Sequence, residues 1–150
     1  IESISKYDAV FLNGNNEDNS KLKLIIKKYK NDIKIFEGYY SPTNINEFNK
    51  NDEYIIFSGI GNPESFKNTL LKHKFNILKE FKFPDHYRYT LDDINKIKSY
   101  AKSLDAKILT TKKDYIKLNK DNEIKFLDIE LIIKEEDRLV NFIKSAIWIH

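Results

Sequence analysis

Short apolar runs alternate with stretches of helical periodicity along most of this sequence, and that alternation limits the fold more than any other feature. Residues Asp8 to Asn13 form an apolar run closed by Asn13-Gly14, a turn signal, and read as a buried strand. Asn15 to Ser20 reads as a polar loop. Leu22, Ile25, Ile26 and Tyr29 follow at helical spacing, with Ser20 as the expected N-cap. Ile33 to Tyr39 alternates like a half-buried strand, and Ser41 to Asp52, with a proline and four asparagines, reads as a loop. Tyr54 to Ser58 is a compact apolar strand ending in Gly59-Ile60-Gly61-Asn62-Pro63. Pro63 suits the first position of a helix, with Asn62 as its cap and Phe66, Leu70 and Leu71 as its apolar face. Asn76 to Phe83 is the next strand, stopped by Pro84. Thr90 with Asp93 three residues on signals a helix carrying Ile94, Ile97 and Ala101. Ala106 to Thr110 is a strand, Thr111 to Asp114 a turn into a short helix reaching Leu118, and Ile124 to Ile133 one long strand. Glu136 to Ile147 is a last amphipathic helix using Leu139, Val140, Ile143 and Ile147.

Strand alternating with helix predicts an α/β fold: a three-layer sandwich with a mainly parallel or mixed sheet and helices on both faces. At 150 residues the chain is expected to be a single domain over 1–150 with a real core. Its 41% hydrophobic and 33% charged residues describe a globular chain. No apolar run reaches the ~18 residues of a membrane span. Cysteine is absent, which excludes disulfides, thiolate metal sites and a cysteine nucleophile. The net charge is +3, and only Arg88 and Arg138 are arginine. Lysines interleave with acids, so no nucleic-acid partner is expected. Methionine is absent and the chain starts at Ile1, as expected of N-terminal processing or of a piece of a longer protein. No signal-peptide core precedes the first strand. Trp148 is expected to pack into the core, His73 to lie at the surface and His150 to be a terminal residue.

Several chemistries are missing. The only glycines are Gly14, Gly38, Gly59 and Gly61, so G-x-x-x-x-G-K-[ST] does not occur. Gly59-Ile60-Gly61 starts a dinucleotide fingerprint that fails at Glu64. No H-E-x-x-H or G-x-S-x-G occurs, and His73, His86 and His150 have no metal-ligand spacing. Three segments remain: Gly59 to Pro63, Asp85 to Tyr89 and Thr110 to Asp114. Each follows a predicted strand. If those strands are parallel, all three lie at the edge where open α/β sheets build their sites. Together they hold an imidazole (His86), carboxylates (Asp85, Asp114), hydroxyls (Thr110, Thr111) and ammonium groups (Lys112, Lys113). Each segment also has a purely structural reading: a capped strand-to-helix turn at Gly59 to Pro63, a turn cap at Asp85, a surface histidine, and a plain helix start at Thr110 to Asp114. Residues alone leave both readings open.

The same segments resemble a known family. Phe57-Ser58-Gly59-Ile60-Gly61-Asn62-Pro63-Glu64-Ser65-Phe66, Phe83-Pro84-Asp85-His86-Tyr87-Arg88-Tyr89 and Thr110-Thr111-Lys112-Lys113-Asp114-Tyr115-Ile116-Lys117-Leu118 are similar to the C-terminal half of the tetraacyldisaccharide 4'-kinase, or lipid A 4'-kinase, family. The family pattern is roughly A-G-I-G-N-P-x-x-F, F-x-D-H-H-x-Y and T-E-K-D-x-x-K-L, in that order. The resemblance runs from about Asp8 to Leu118. Tyr87 stands where the family commonly has a second histidine, and Lys112 where it commonly has glutamate.

The resemblance implies a kinase that transfers the γ-phosphoryl of ATP, with Mg2+, to the 4'-hydroxyl of a tetraacyldisaccharide 1-phosphate, a lipid A precursor. It implies a two-lobe enzyme of Gram-negative bacteria on the cytoplasmic face of the inner membrane. The P-loop, the Mg2+ ligands and the membrane-associating helix belong to the N-terminal lobe, whose motifs are not in this sequence. The chain is therefore expected to be the C-terminal lobe, inactive alone and with no metal site of its own. His86 carries over as a catalytic residue beside an aspartate of the other lobe, and Asp85 as its motif partner. Gly59, Gly61, Asn62, Thr111, Lys113 and Asp114 carry over as substrate-cleft residues. The alternative is a non-catalytic α/β module that binds anionic lipid or nucleic acid.

Overall fold

The computed structural model describes residues 2–14, 19–118 and 121–147. The expected Trp148 packing, the terminal His150 and most of the Asn15 to Ser20 loop lie outside them. The chain divides into two compact units: Ile1–Ser41 with Glu130–His150, and Pro42–Ile129.

The first unit holds β1 (Ala9–Asn13), α1 (Ser20–Tyr29) and β2 (Lys34–Pro42). β1 and β2 pair in parallel, as a strand–helix–strand crossover demands. Leu12, Ile26 and Ile33 are buried between α1 and the strands. Ser20 does not cap α1: Asn19 holds the N-cap position, and its side-chain amide is donated to Glu37 instead. Glu37 also pairs with Lys23.

The second unit carries β3 (Glu53–Ser58), α2 (Pro63–Lys72), β4 (Asn76–Lys82), α3 (Leu91–Ser103), β5 (Lys107–Thr111), α4 (Lys112–Tyr115) and β6 (Ile124–Leu127). Its four strands lie in the order β4-β3-β5-β6, all parallel. Side chains of a strand alternate between faces, so β3 feeds two cores. Tyr54 and Ile56 pack with Phe66 and Leu70 of α2 on one face. Ile55 and Phe57 pack with Ile97 and Ala101 of α3 on the other. This is the expected three-layer arrangement, with central strands buried on both faces. The sequence signals at its helix starts hold. Asn62 accepts the Ser65 amide at the head of α2, and Thr90 with Asp93 closes a capping box on α3.

The chain then returns to the first unit with β7 (Ile129–Lys134) and α5 (Glu136–Ile147). β7 joins the other sheet, in the order β1-β2-β7. The single strand expected over 124–133 is thus two strands in two sheets. The break falls at Asp128, whose amide is donated to the Asn44 side chain at 2.9 Å. Its carbonyl accepts the Thr43 amide at 3.0 Å, and the Asn44 side chain donates to the Phe126 carbonyl. The residues before β3 thereby satisfy the backbone that leaves β6. The expected 41–52 loop also gives its first two residues to β2 and forms a 3₁₀ turn at Ile45–Glu47. α5 rests only partly on the expected face, of which Leu139 is half-buried. Phe142 meets Phe36 at 5.3 Å between ring centres, while Val140, Ile143 and Ile147 are exposed.

Candidate functional site

All four strands of the second unit run the same way, so the residues after β3, β4 and β5 share one edge of that sheet. The three motif segments meet there. The Ser58 carbonyl accepts the Phe83 amide at 2.9 Å, and the Gly59 carbonyl accepts the His86 amide at 3.2 Å. The Gly59 amide is donated to Asp114 Oδ2 at 2.9 Å. A β-carbon on Gly59 would lie 2.9 Å from the Tyr89 hydroxyl, 3.1 Å from the Pro84 carbonyl oxygen and 3.3 Å from Tyr87 Cβ. Glycine is therefore needed here for close approach, not for an unusual φ.

His86 holds φ at 60°, in the left-handed region. Such a conformation disfavours residues with a β-carbon and persists where the surroundings over-determine it. Two acceptors fix the His86 amide: the Gly59 carbonyl and Asp85 Oδ1, the latter at 3.0 Å. The imidazole is left 77% exposed, with Nε2 at 3.6 Å from Asp85 Oδ2. Lys113 Nζ approaches the other Asp85 oxygen at 3.4 Å. Partial desolvation pushes the Asp85 carboxyl upward, but a charged His86, Lys113 and the His86 amide outweigh it and hold the carboxyl below the usual aspartate value. Asp85 is thus an ionised carboxylate between an imidazole and an ammonium group.

Behind this cluster lie buried polar groups. Thr111 caps α4, accepting the Asp114 amide and donating to Asp114 Oδ2. Asp114 is completely buried, and its second oxygen pairs with Lys117 at 2.8 Å. The Tyr89 hydroxyl is buried without a hydrogen-bond partner of good geometry. Burial first, and then the nearby Asp114 charge, push that phenol far above its ordinary value. Thr110 is buried, with its hydroxyl donated to the Phe57 carbonyl.

The expected site residues therefore divide. His86, Asp85 and Lys113 form one exposed cluster, with Gly61 beside Asp85. Gly59 and Thr111 lie behind it as backbone and cap. Asn62 is occupied in capping α2. Asp114, expected in the cleft, is buried beneath the loop. The two departures also find partners. Tyr87 donates its hydroxyl to Asp93 in the α3 capping box, and Lys112 pairs with Asp128. Tyr89 and Lys117 were not expected at the site. The Thr111-x-x-Asp114 spacing signals only the cap of α4, and no local signal points to Tyr89 or Lys117.

A cavity of about 620 Å³ opens at the other edge of this sheet, beside Tyr54, Lys107 and Lys125, and none of its lining residues comes from the motif segments. The candidate site is an open edge and not that cavity. No three His, Asp or Glu residues among those described are grouped to hold a metal ion. Asp85 already faces the His86 imidazole and the Lys113 ammonium, and both Asp114 oxygens are engaged. These two carboxylates do not fit a Mg2+ site. No described helix is long and apolar enough to cross a membrane.

A parallel sheet with helices on both faces and an exposed His86–Asp85 pair beyond its strand ends defines an α/β protein whose candidate site lies at the sheet's carboxyl edge. Residues 1–147 match the family described as LpxK, tetraacyldisaccharide-1-P 4'-kinase, and the chain belongs to that family. Two curated relatives carry the name tetraacyldisaccharide 4'-kinase. The one from Pelagibacter ubique is 41% identical over 143 residues, covering 94% of this chain and 46% of the relative. The one from Rickettsia akari is 37% identical over 139 residues, covering 92% and 41%. This chain thus spans less than half the length of either. The fold is similar to a crystal structure of Aquifex aeolicus LpxK in complex with ATP. The TM-score is 0.58 at 21% identity, over 96% of this chain and 44% of that one.

Proposed function

We propose that this chain is the acceptor-side lobe of a tetraacyldisaccharide 4'-kinase. In this reading the whole enzyme transfers the γ-phosphoryl of ATP to the 4'-hydroxyl of a tetraacyldisaccharide 1-phosphate at the inner-membrane surface. Family membership and the relatives' names support the kinase. The observation that carries the lobe's share is the His86 imidazole, held in a strained backbone beside Asp85 and left open to a partner.

Phosphoryl transfer is largely a matter of positioning and charge. The acceptor oxygen forms a bond to phosphorus as the bond to the ADP oxygen breaks, and the hydroxyl proton must leave. His86 pairs with an aspartate of the P-loop lobe, and that pair orients the 4'-hydroxyl and takes its proton. Asp85 holds the imidazole's orientation. In this reading ATP and Mg2+ are bound mainly by the P-loop lobe, and the engagement of the Asp85 and Asp114 carboxylates supports it for Mg2+. The chain alone is then inactive.

The test is a transfer assay with the full-length protein, radiolabelled ATP, Mg2+ and the tetraacyldisaccharide 1-phosphate. Label at the 4'-oxygen is expected. Binding of the lipid with no transfer would favour a non-catalytic module and overturn the proposal.

A further inference from the structure

The α3 and α4 capping arrangements share a spacing but differ in where the carboxylate goes. At α3, Asp93 Oδ2 accepts the amide of its own N-cap, Thr90, at 2.9 Å. At α4, the equivalent Asp114 oxygen accepts the amide of Gly59, 55 positions away in sequence, at 2.9 Å. A carboxylate that would ordinarily serve its own helix instead ties a second loop to it. Asp114 is fully buried and accepts from the Gly59 amide, the Thr111 hydroxyl and Lys117. Hydrogen bonds to a buried ionised acceptor are among the stronger ones in a protein.

The Gly59 residue has two ends. Its amide is held by Asp114, and its carbonyl accepts the His86 amide. Pro84, Tyr87 and Tyr89 close around its α-carbon. Gly59 is thus clamped between the buried carboxylate and the loop that carries His86, and His86 sits in a left-handed backbone that needs such a clamp. From this relay we propose that Asp114 is a positioning residue for His86, acting through Gly59 without touching the substrate.

This rests on the His86 role proposed above, and the experiment separates the two. In the full-length kinase, turnover is measured for Asp114→Ala, His86→Ala and the double variant. Asp114→Ala is expected to lower kcat by about 10- to 100-fold, the scale of a displaced catalytic group, with KM for ATP unchanged. Asp114→Asn, which keeps an acceptor for Gly59, should restore part of that loss. The two alanine effects should not add, because both remove the same placed imidazole. Asn44→Ala, which removes the bonds to Asp128 and Phe126 and none of those to Asp114, Gly59 or His86, should lower the melting temperature and leave kcat intact. Where Asp114→Ala does not fold, Gly59→Ala displaces the same peptide from its crowded side and takes its place in the cycle. If His86→Ala is impaired and the effects add, or Asp114→Ala turns over normally, the positioning role is wrong while the His86 role stands. If His86→Ala turns over normally, both fall.

Discussion

Among the described residues, the four non-glycine positions with positive φ are Lys74, His86, Asp105 and Glu135. Lys74 and Asp105 directly follow the C-caps of α2 and α3, where a left-handed residue closes a helix. Glu135 lies between β7 and α5. His86 closes no helix and sits in the loop that carries the imidazole, so its strain accompanies the site and not an element end. The glycines there serve a different need. A β-carbon on Gly61 would meet Asp85 Oδ2 at 3.4 Å, an ordinary contact with the tip of a side chain. Gly61→Ala should therefore fold with a melting temperature close to that of the parent. Gly59→Ala, which meets a backbone carbonyl and two aromatic residues, should lose about 1–3 kcal/mol by overpacking. Parallel thermal melts decide it; equal losses at the two positions would contradict the packing described.

At the scale of elements, local signals were legible and distant ones were not. Asn62, Pro63 and the Thr90–Asp93 pair announce their helices because each cap binds within three residues. The split of 124–133 is invisible in its own sequence, since Asn44 fixes it from 84 positions away. The Asp114–Gly59 bond is equally hidden: Thr111-x-x-Asp114 shows a cap but not which amide the carboxylate takes. The shared edge of the three motif segments was legible because parallel strands force it, whereas the division into two sheets was not. The capping box on α3 gives a pH prediction. The Thr90 side chain, then its backbone amide, hold the Asp93 carboxyl below the ordinary aspartate value. A depressed folded-state pKa means stability present above the unfolded value, near pH 4, and lost as pH falls through the folded one. Urea melts should show Asp93→Asn abolishing that part of the acid-side loss. Thr90→Ala should cost about 1 kcal/mol at neutral pH. Parallel acid profiles for the parent and Asp93→Asn would contradict the box.

At the scale of the whole molecule, the chain spans less than half the length of the two curated relatives named above, and its described residues bring His86, Asp85 and Lys113 together at one exposed sheet edge. The central claim is that His86 is that edge's working group. The most direct test is the turnover of His86→Ala in the full-length enzyme, with His73→Ala as control. His73 sits half-buried at the C-cap of α2, away from the motif segments, and its loss should leave turnover unchanged. His86→Ala should lower kcat by about 10²- to 10⁴-fold, the range of a lost acid–base participant. KM for ATP should hold, because the group acts on the acceptor. The melting temperature should also hold: the imidazole is mostly exposed, and alanine carries the same β-carbon into the left-handed backbone. Near-parental turnover with a melting temperature many degrees lower would contradict the account and make His86 a structural residue.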